Sequence, residues 1–189
     1  FKAVGGPNAV YYVVPLLGAL TVWMAFVLGR RLAGPLAGLL AATALLASPA
    51  FLFQLMWPMS DVPVSAWWLL AILLAIRGTT WSVAAAGVAA AVAVLTRPNL
   101  VILVVPLLAF VVTHPTRMRD RYRAAAVFTC AMLPGAIGVG AINAYLYESA
   151  LNSGYGSFST IYASEHFWPN FLNYATSLLG TQTPFICLG

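Results

Sequence analysis

Apolar residues run along this chain in long blocks, and the short segments between the blocks hold nearly every charge. Blocks at 9–29, 35–57, 62–76, 81–96, 100–113 and 124–147 are rich in Ala, Leu and Val, and another opens at 175–189. A helix needs about 20 apolar residues to cross roughly 30 Å of hydrocarbon. The blocks at 9–29, 35–57 and 124–147 meet that length, and the others are shorter but apolar throughout. None of them shows the alternation of an outer-membrane strand, which runs for about ten residues at a time. The pattern predicts an all-α fold, a polytopic transmembrane helix bundle of about six to seven membrane segments. It reads as a single transmembrane domain over 1–189, a fragment incomplete at both ends, with a polar and aromatic loop at 148–174.

Composition strengthens this reading. Charged residues make up 7% of the chain and hydrophobic ones 62%, with a mean hydropathy of +0.91. A soluble domain carries about 25% charged residues because its surface faces water. A chain this poor in charge has lipid as its solvent, and in lipid each backbone polar group must be satisfied within the fold. The net charge of +5 is no signature of nucleic-acid binding, because the cations lie in inter-helix turns rather than along one soluble face. Cys130 and Cys187 lie within apolar segments, unlike the paired cysteines of a small secreted scaffold, and are expected to be buried free thiols.

Charge also orients the bundle. With a turn at Arg97-Pro98-Asn99, one side holds Arg30, Arg31, Arg77, Arg117, Arg119, Arg121 and Arg123, and the other only Lys2 and Arg97. Cytoplasmic loops carry the excess of Lys and Arg, which places the Arg30, Arg77 and Arg117 turns inside. Asp61, Glu148 and Glu165 then lie outside with Arg97 and His166, while Asp120 remains among the cytoplasmic arginines.

Three outer segments are candidates for chemistry. The first is Gln54-Leu55-Met56-Trp57-Pro58-Met59-Ser60-Asp61-Val62-Pro63, where Ser60 or Asp61 is suited to cap a helix and Pro63 to its first turn. An ionisable residue at that depth is also costly and marks a functional candidate. The second is Arg97-Pro98-Asn99. Pro98 disfavours helix at Arg97, and a guanidinium offers phosphate or carboxylate a planar fork of donors. Snorkelling to headgroups and pairing with Asp61 are the alternative uses of that side chain. The third spans Glu148 to Asn173 and holds Gly154, Tyr155 and Gly156, the adjacent Glu165 and His166, and several aromatics. Those aromatics suit interfacial anchoring better than a sugar-stacking platform. No phosphate-binding glycine loop, metal-ligand spacing or Ser/His/Asp constellation is present, and one Asp indicates no divalent-cation site, so the cofactor stays unknown.

The runs SPAFLFQLMWPMSDVPVSAWWLLAILLA, AAAGVAAAVAVLTRPNL, NAYLYESALNSGYGSFS and NFLNYATSLLGTQTPF together resemble the bacterial membrane glycosyltransferases of GT-C type. These are relatives of the protein O-mannosyltransferases and the lipid A aminoarabinose transferases. The resemblance extends from about Gly5 onward and rests chiefly on Ser-Asp-x-Pro at Ser60 to Pro63 and Arg-Pro-Asn at Arg97 to Asn99. It implies a polyprenyl-phosphate-linked sugar donor, an unspecified acceptor, and a site on the non-cytoplasmic face of the bacterial inner membrane. It also implies an essential acidic residue in a first outer loop preceding Phe1, which makes Asp61 the second acidic position. On this reading Asp61 is catalytic or orients the acceptor, and Arg97 meets the donor phosphate. Asn99, Glu148, Tyr155 and His166 complete the substrate-binding set. A transporter or flippase of a lipid-linked substrate and a non-catalytic membrane subunit are the rival readings. Internal repeats, common in transporters, are not found here.

Overall fold

The computed structural model describes residues 10–57, 59–113, 118–153, 156–161 and 163–181. Helix α1, Val10–Ala33, runs into α2, Pro35–Leu46, through Gly34 at φ 92, a left-handed angle that only glycine adopts without strain. Pro35 opens α2, where its fixed φ suits the first helical turn. Helix α3, Pro49–Leu55, is bent by 64° from α2. It starts at Ser48, whose Oγ accepts the Phe51 N–H at 3.3 Å. Helix α4 is Asp61–Ala75 and α5 is Thr80–Thr96. A reciprocal capping box starts α5: Thr79 Oγ1 accepts the Ser82 N–H at 3.2 Å, and Ser82 Oγ accepts the Thr79 N–H at 3.0 Å.

Pro98 ends α5. Arg97 is extended, at φ −148 and ψ 91, and the chain continues through a 3-10 turn, Pro98–Leu103, into α6, Val104–Thr113. Helix α7, Met118–Tyr147, is followed by a two-residue hairpin in which β1, Asn152–Ser153, pairs antiparallel with β2, Gly156–Ser157. A short α8, Phe158–Ile161, a 3-10 turn, Ser164–His166, and α9, Phe167–Thr181, complete the described chain.

The fold is all-α apart from that hairpin. Among the described residues two helices are long and apolar enough to cross a membrane unaided, Tyr11–Ala33 and Asp120–Tyr147, and the bent pair α2–α3 makes a third if it acts as one span. The apolar helices Asp61–Ala75, Thr80–Thr96 and Pro98–Thr113 fall short of a full span. Helix α9 starts at Phe167, inside the stretch whose sequence reads as loop, and 182–189 of the expected last segment lie outside the described residues.

Helices α4 to α7 form the main core, built largely of alanine: Ala71, Ala86, Ala90 and Ala93 are fully buried around Phe128. Small residues suit a membrane interior. Lipid is as apolar as the side chains, so helices gain most by bringing their backbones close together. A Cβ on Gly87 would lie 2.5 Å from the Phe128 carbonyl oxygen, and one on Gly135 2.6 Å from Ala91 Cα. Gly87 faces Ala131, Ala91 faces Gly135 and Leu95 approaches Gly138, so α5 and α7 run parallel. Large apolar side chains such as Leu36, Leu40, Trp23 and Ile137 point outward, as lipid-facing surface does. Cys130 is free, but it lies on this outer surface of α7 rather than in the core, because Phe128 and Met132 take the inward positions. Cys187 lies outside the described residues.

Candidate functional site

The capping box and Gly78, at φ 68, turn the chain between α4 and α5, so the start of α4 and the end of α5 meet at one end of the bundle. Asp61 is the first residue of α4 and Arg97 the last cap of α5. Their side chains form an ion pair, Arg97 Nη1 to Asp61 Oδ1, with exposures of 34% and 33%. Each charge also complements its own helix: a carboxylate in a first turn meets the positive end of the dipole, and a cation past a last turn meets the negative end. The sequence left three uses open for Arg97, and pairing with Asp61 is the one this geometry displays.

Ser60 occupies the cap position of α4, but its side chain makes no cap hydrogen bond. The Asp61 carboxylate is engaged by Arg97, and its backbone carbonyl accepts the Ser65 hydroxyl at 2.8 Å. A partly exposed carboxylate and guanidinium side by side offer two chemistries. The first takes a proton from a hydroxyl, and the second binds a phosphate through a fork of donors. Asn99 lies in the 3-10 turn two residues beyond Arg97 and is exposed.

Glu148 lies apart from this pair. Because Leu95 is level with Gly138, α7 continues past Arg97 and lifts Glu148 about 12 Å further along the bundle axis, at ~1.5 Å per residue. Glu148 is the one non-glycine residue at positive φ among the described residues, 58°. Glu165 approaches His166 Nε2 at 4.0 Å, both well exposed. Among the described residues no ion pair joins Glu148, Glu165 or His166 to Asp61 or Arg97. Tyr155 lies outside the described residues. On α9, Phe167, Trp168 and Phe171 pack on one another at 5.4 to 6.1 Å between ring centres and remain exposed. Among the described residues, no group of three His, Cys, Asp or Glu side chains is placed to hold a metal ion.

One element of the site escaped the sequence reading. One helical turn along α4 from Asp61, α1, α2, α3 and α4 line an open cleft of about 550 Å³ that includes Thr21, Ser48, Gln54 and Ser65. The signal was present as single hydroxyl or amide residues inside apolar runs, but their convergence depends on the bend between α2 and α3.

A model of the dolichyl-phosphate-mannose-protein mannosyltransferase family matches residues 5–142, which takes in α1 to α6, most of α7 and the whole Asp61–Arg97 pair. No curated protein and no solved structure matches the chain.

Proposed function

Since the chain belongs to the dolichyl-phosphate-mannose-protein mannosyltransferase family, and with it to the GT-C-type membrane glycosyltransferases, we propose that it moves a sugar from a polyprenyl-phosphate carrier to an acceptor on the non-cytoplasmic face. The observation that carries this reading is the Asp61–Arg97 pair at one end of the bundle, opposite the end bearing Arg30, Arg31 and Arg77. A lipid-linked donor brings its phosphate only as far as the membrane boundary. A guanidinium held there by the end of α5 suits that phosphate.

In the reaction, Asp61 takes the proton of the acceptor hydroxyl as its oxygen bonds to the anomeric carbon. The bond from that carbon to the phosphate oxygen breaks, and the polyprenyl phosphate leaves with the electron pair. Arg97 stabilises the charge that develops on the leaving phosphate. The ion pair gives these steps an order: donor phosphate competes with the Asp61 carboxylate for Arg97, so donor binding frees Asp61 to act as base. A transporter of a lipid-linked substrate would carry its polar residues near the membrane midplane, whereas this pair lies at helix ends.

The test uses membranes carrying the protein and a polyprenyl-phosphate donor with radiolabelled sugar. Removing one fixed charge from a developing anion costs about 10²- to 10³-fold in rate, so Arg97→Gln is expected to lose transfer by that factor at unchanged protein level. Transfer within twofold of the unsubstituted protein would overturn Arg97's role.

A further inference from the structure

The cleft one turn from Asp61 has a chemistry unlike that of the ion pair. Among the described residues that line it no side chain is charged. Its polar groups are the Thr21, Ser48 and Ser65 hydroxyls and the Gln54 carboxamide, set among alanines, Leu45, Leu69 and Phe51. Three of the four are already engaged. Thr21 Oγ1 donates to the Leu17 carbonyl at 2.7 Å, Ser65 Oγ donates to the Asp61 carbonyl at 2.8 Å, and Ser48 Oγ accepts the Phe51 N–H. The Gln54 carboxamide, partly buried, has no hydrogen-bond partner among the described residues. A carboxamide offers two donors and an acceptor, and because the Gln54 side chain is only partly buried these groups are open to a ligand entering the cleft.

Position adds a second constraint. Ser65 lies one turn along α4 from Asp61 and donates to its backbone carbonyl, so the cleft begins one helical turn from Asp61. It then runs past Ser48 and Gln54 to Ala25 and Ala41, which lie in the middle of α1 and α2. A cleft open at that depth is reached from the bilayer, and its lining matches a molecule that is part hydrocarbon and part neutral hydroxyl or amide. We propose that this cleft is the acceptor's site, and that the acceptor is a neutral, hydroxyl- or amide-bearing amphiphile drawn from the membrane. Gln54 holds its polar group, and its reacting hydroxyl faces Asp61. The anionic donor and the neutral acceptor thus approach Asp61 from separate sides, one led by Arg97 and the other by Gln54. This inference rests on the role given above to Asp61.

The probe is a monoacylglycerol with a diazirine in its acyl chain, photolysed with the protein in lipid nanodiscs and mapped by mass spectrometry. Labelling is expected to concentrate on 41–54 and 65–69. Loss of one hydrogen-bonding group predicts a drop of about three- to tenfold in Gln54→Leu. Ala44→Phe, which places a ring on the exposed wall of the cleft, should remove the labelling. If that variant does not fold, Gln54→Leu decides alone. Labelling spread evenly over lipid-facing residues such as Leu36 and Leu40, or unchanged in Gln54→Leu, overturns the proposal. A matched diazirine fatty acid, which is anionic, should label the cleft several-fold less, and equal labelling also overturns it. Binding of polyprenyl phosphate alone separates the two readings. Its loss in Arg97→Gln but not in Gln54→Leu is the expected result. Unchanged binding in Arg97→Gln with cleft labelling intact would remove the donor reading and keep the cleft.

Discussion

The Asp61–Arg97 pair makes a quantitative prediction about stability that is independent of any reaction. Consider a double-mutant cycle of Asp61→Asn, Arg97→Gln and the two together. Fully exposed pairs contribute about 0.2–1 kcal/mol, and breaking a buried pair costs about 3–5 kcal/mol. With both side chains about one-third exposed, at 34% and 33%, the coupling should fall between these limits, at about 1–2 kcal/mol. Asp61 also loses its interaction with the start of α4, about 0.3–1 kcal/mol, a contribution that cancels from the coupling. Arg97→Gln loses the matching interaction with the end of α5, so the two single variants are expected to destabilise to a similar extent, and the double variant by less than their sum. Unfolding of the purified protein in micelles with increasing sodium dodecyl sulfate reads all four corners. The coupling should shrink as salt rises, since both groups reach water. A coupling below about 0.2 kcal/mol, the lower end of exposed pairs, would refute the view that the two charges are held against each other.

Two packing predictions follow. Gly135→Ala places a Cβ 2.6 Å from Ala91 backbone atoms, so α5 and α7 must part by about 1 Å to reach an ordinary ~3.5 Å contact. A loss of about 1–3 kcal/mol is expected in the same unfolding assay, while Gly180→Ala, with nothing within 4 Å, should not destabilise; equal effects would contradict the close approach of α5 and α7. The buried indole N–H of Trp68 has no acceptor among the described residues. Trp68→Phe should therefore stay within about 1 kcal/mol of the parent, because it removes a donor whose unpaired burial costs about 1–3 kcal/mol. Trp68→Ala should lose about 3–5 kcal/mol, and a Phe variant as unstable as the Ala variant would mean that the indole N–H is bound.

The membrane class and the helical fold were legible because hydrocarbon admits few structures. A chain with 7% charge and apolar blocks broken at Arg30-Arg31, Arg77-Gly78 and Arg97-Pro98 has few ways to satisfy its backbone other than helices. The turn at Arg97 was legible for a local reason: proline excludes helix at the residue before it, and Arg97 is extended. Less visible was how completely alanine and glycine take over the core, with Phe128 rather than Cys130 turned inward. Hydropathy gives both residues the same sign, and only the helix register separates the inner face from the lipid face. The meeting of Asp61 with Arg97 is a contact across 36 residues, fixed by an antiparallel turn rather than by either motif. The cleft with Gln54 was hidden for a similar reason: one amide in SPAFLFQLMW says nothing until α3 bends away from α2. The loop group of Glu148 and His166 was named for its polar character, and the length of α7 holds Glu148 well beyond the ion pair.

The central claim is that the Asp61 carboxylate takes part in sugar transfer as well as holding Arg97. Its most direct test is the turnover of Asp61→Asn in membranes supplied with a polyprenyl-phosphate-linked sugar, measured beside the amount of folded protein. The substitution keeps size and shape, removes the proton-accepting charge, and destabilises by no more than the cycle above measures. The account predicts folded protein near the parental amount and a loss of transfer of about 10²- to 10⁴-fold, the range of a lost general base. Near-normal turnover by Asp61→Asn would contradict it.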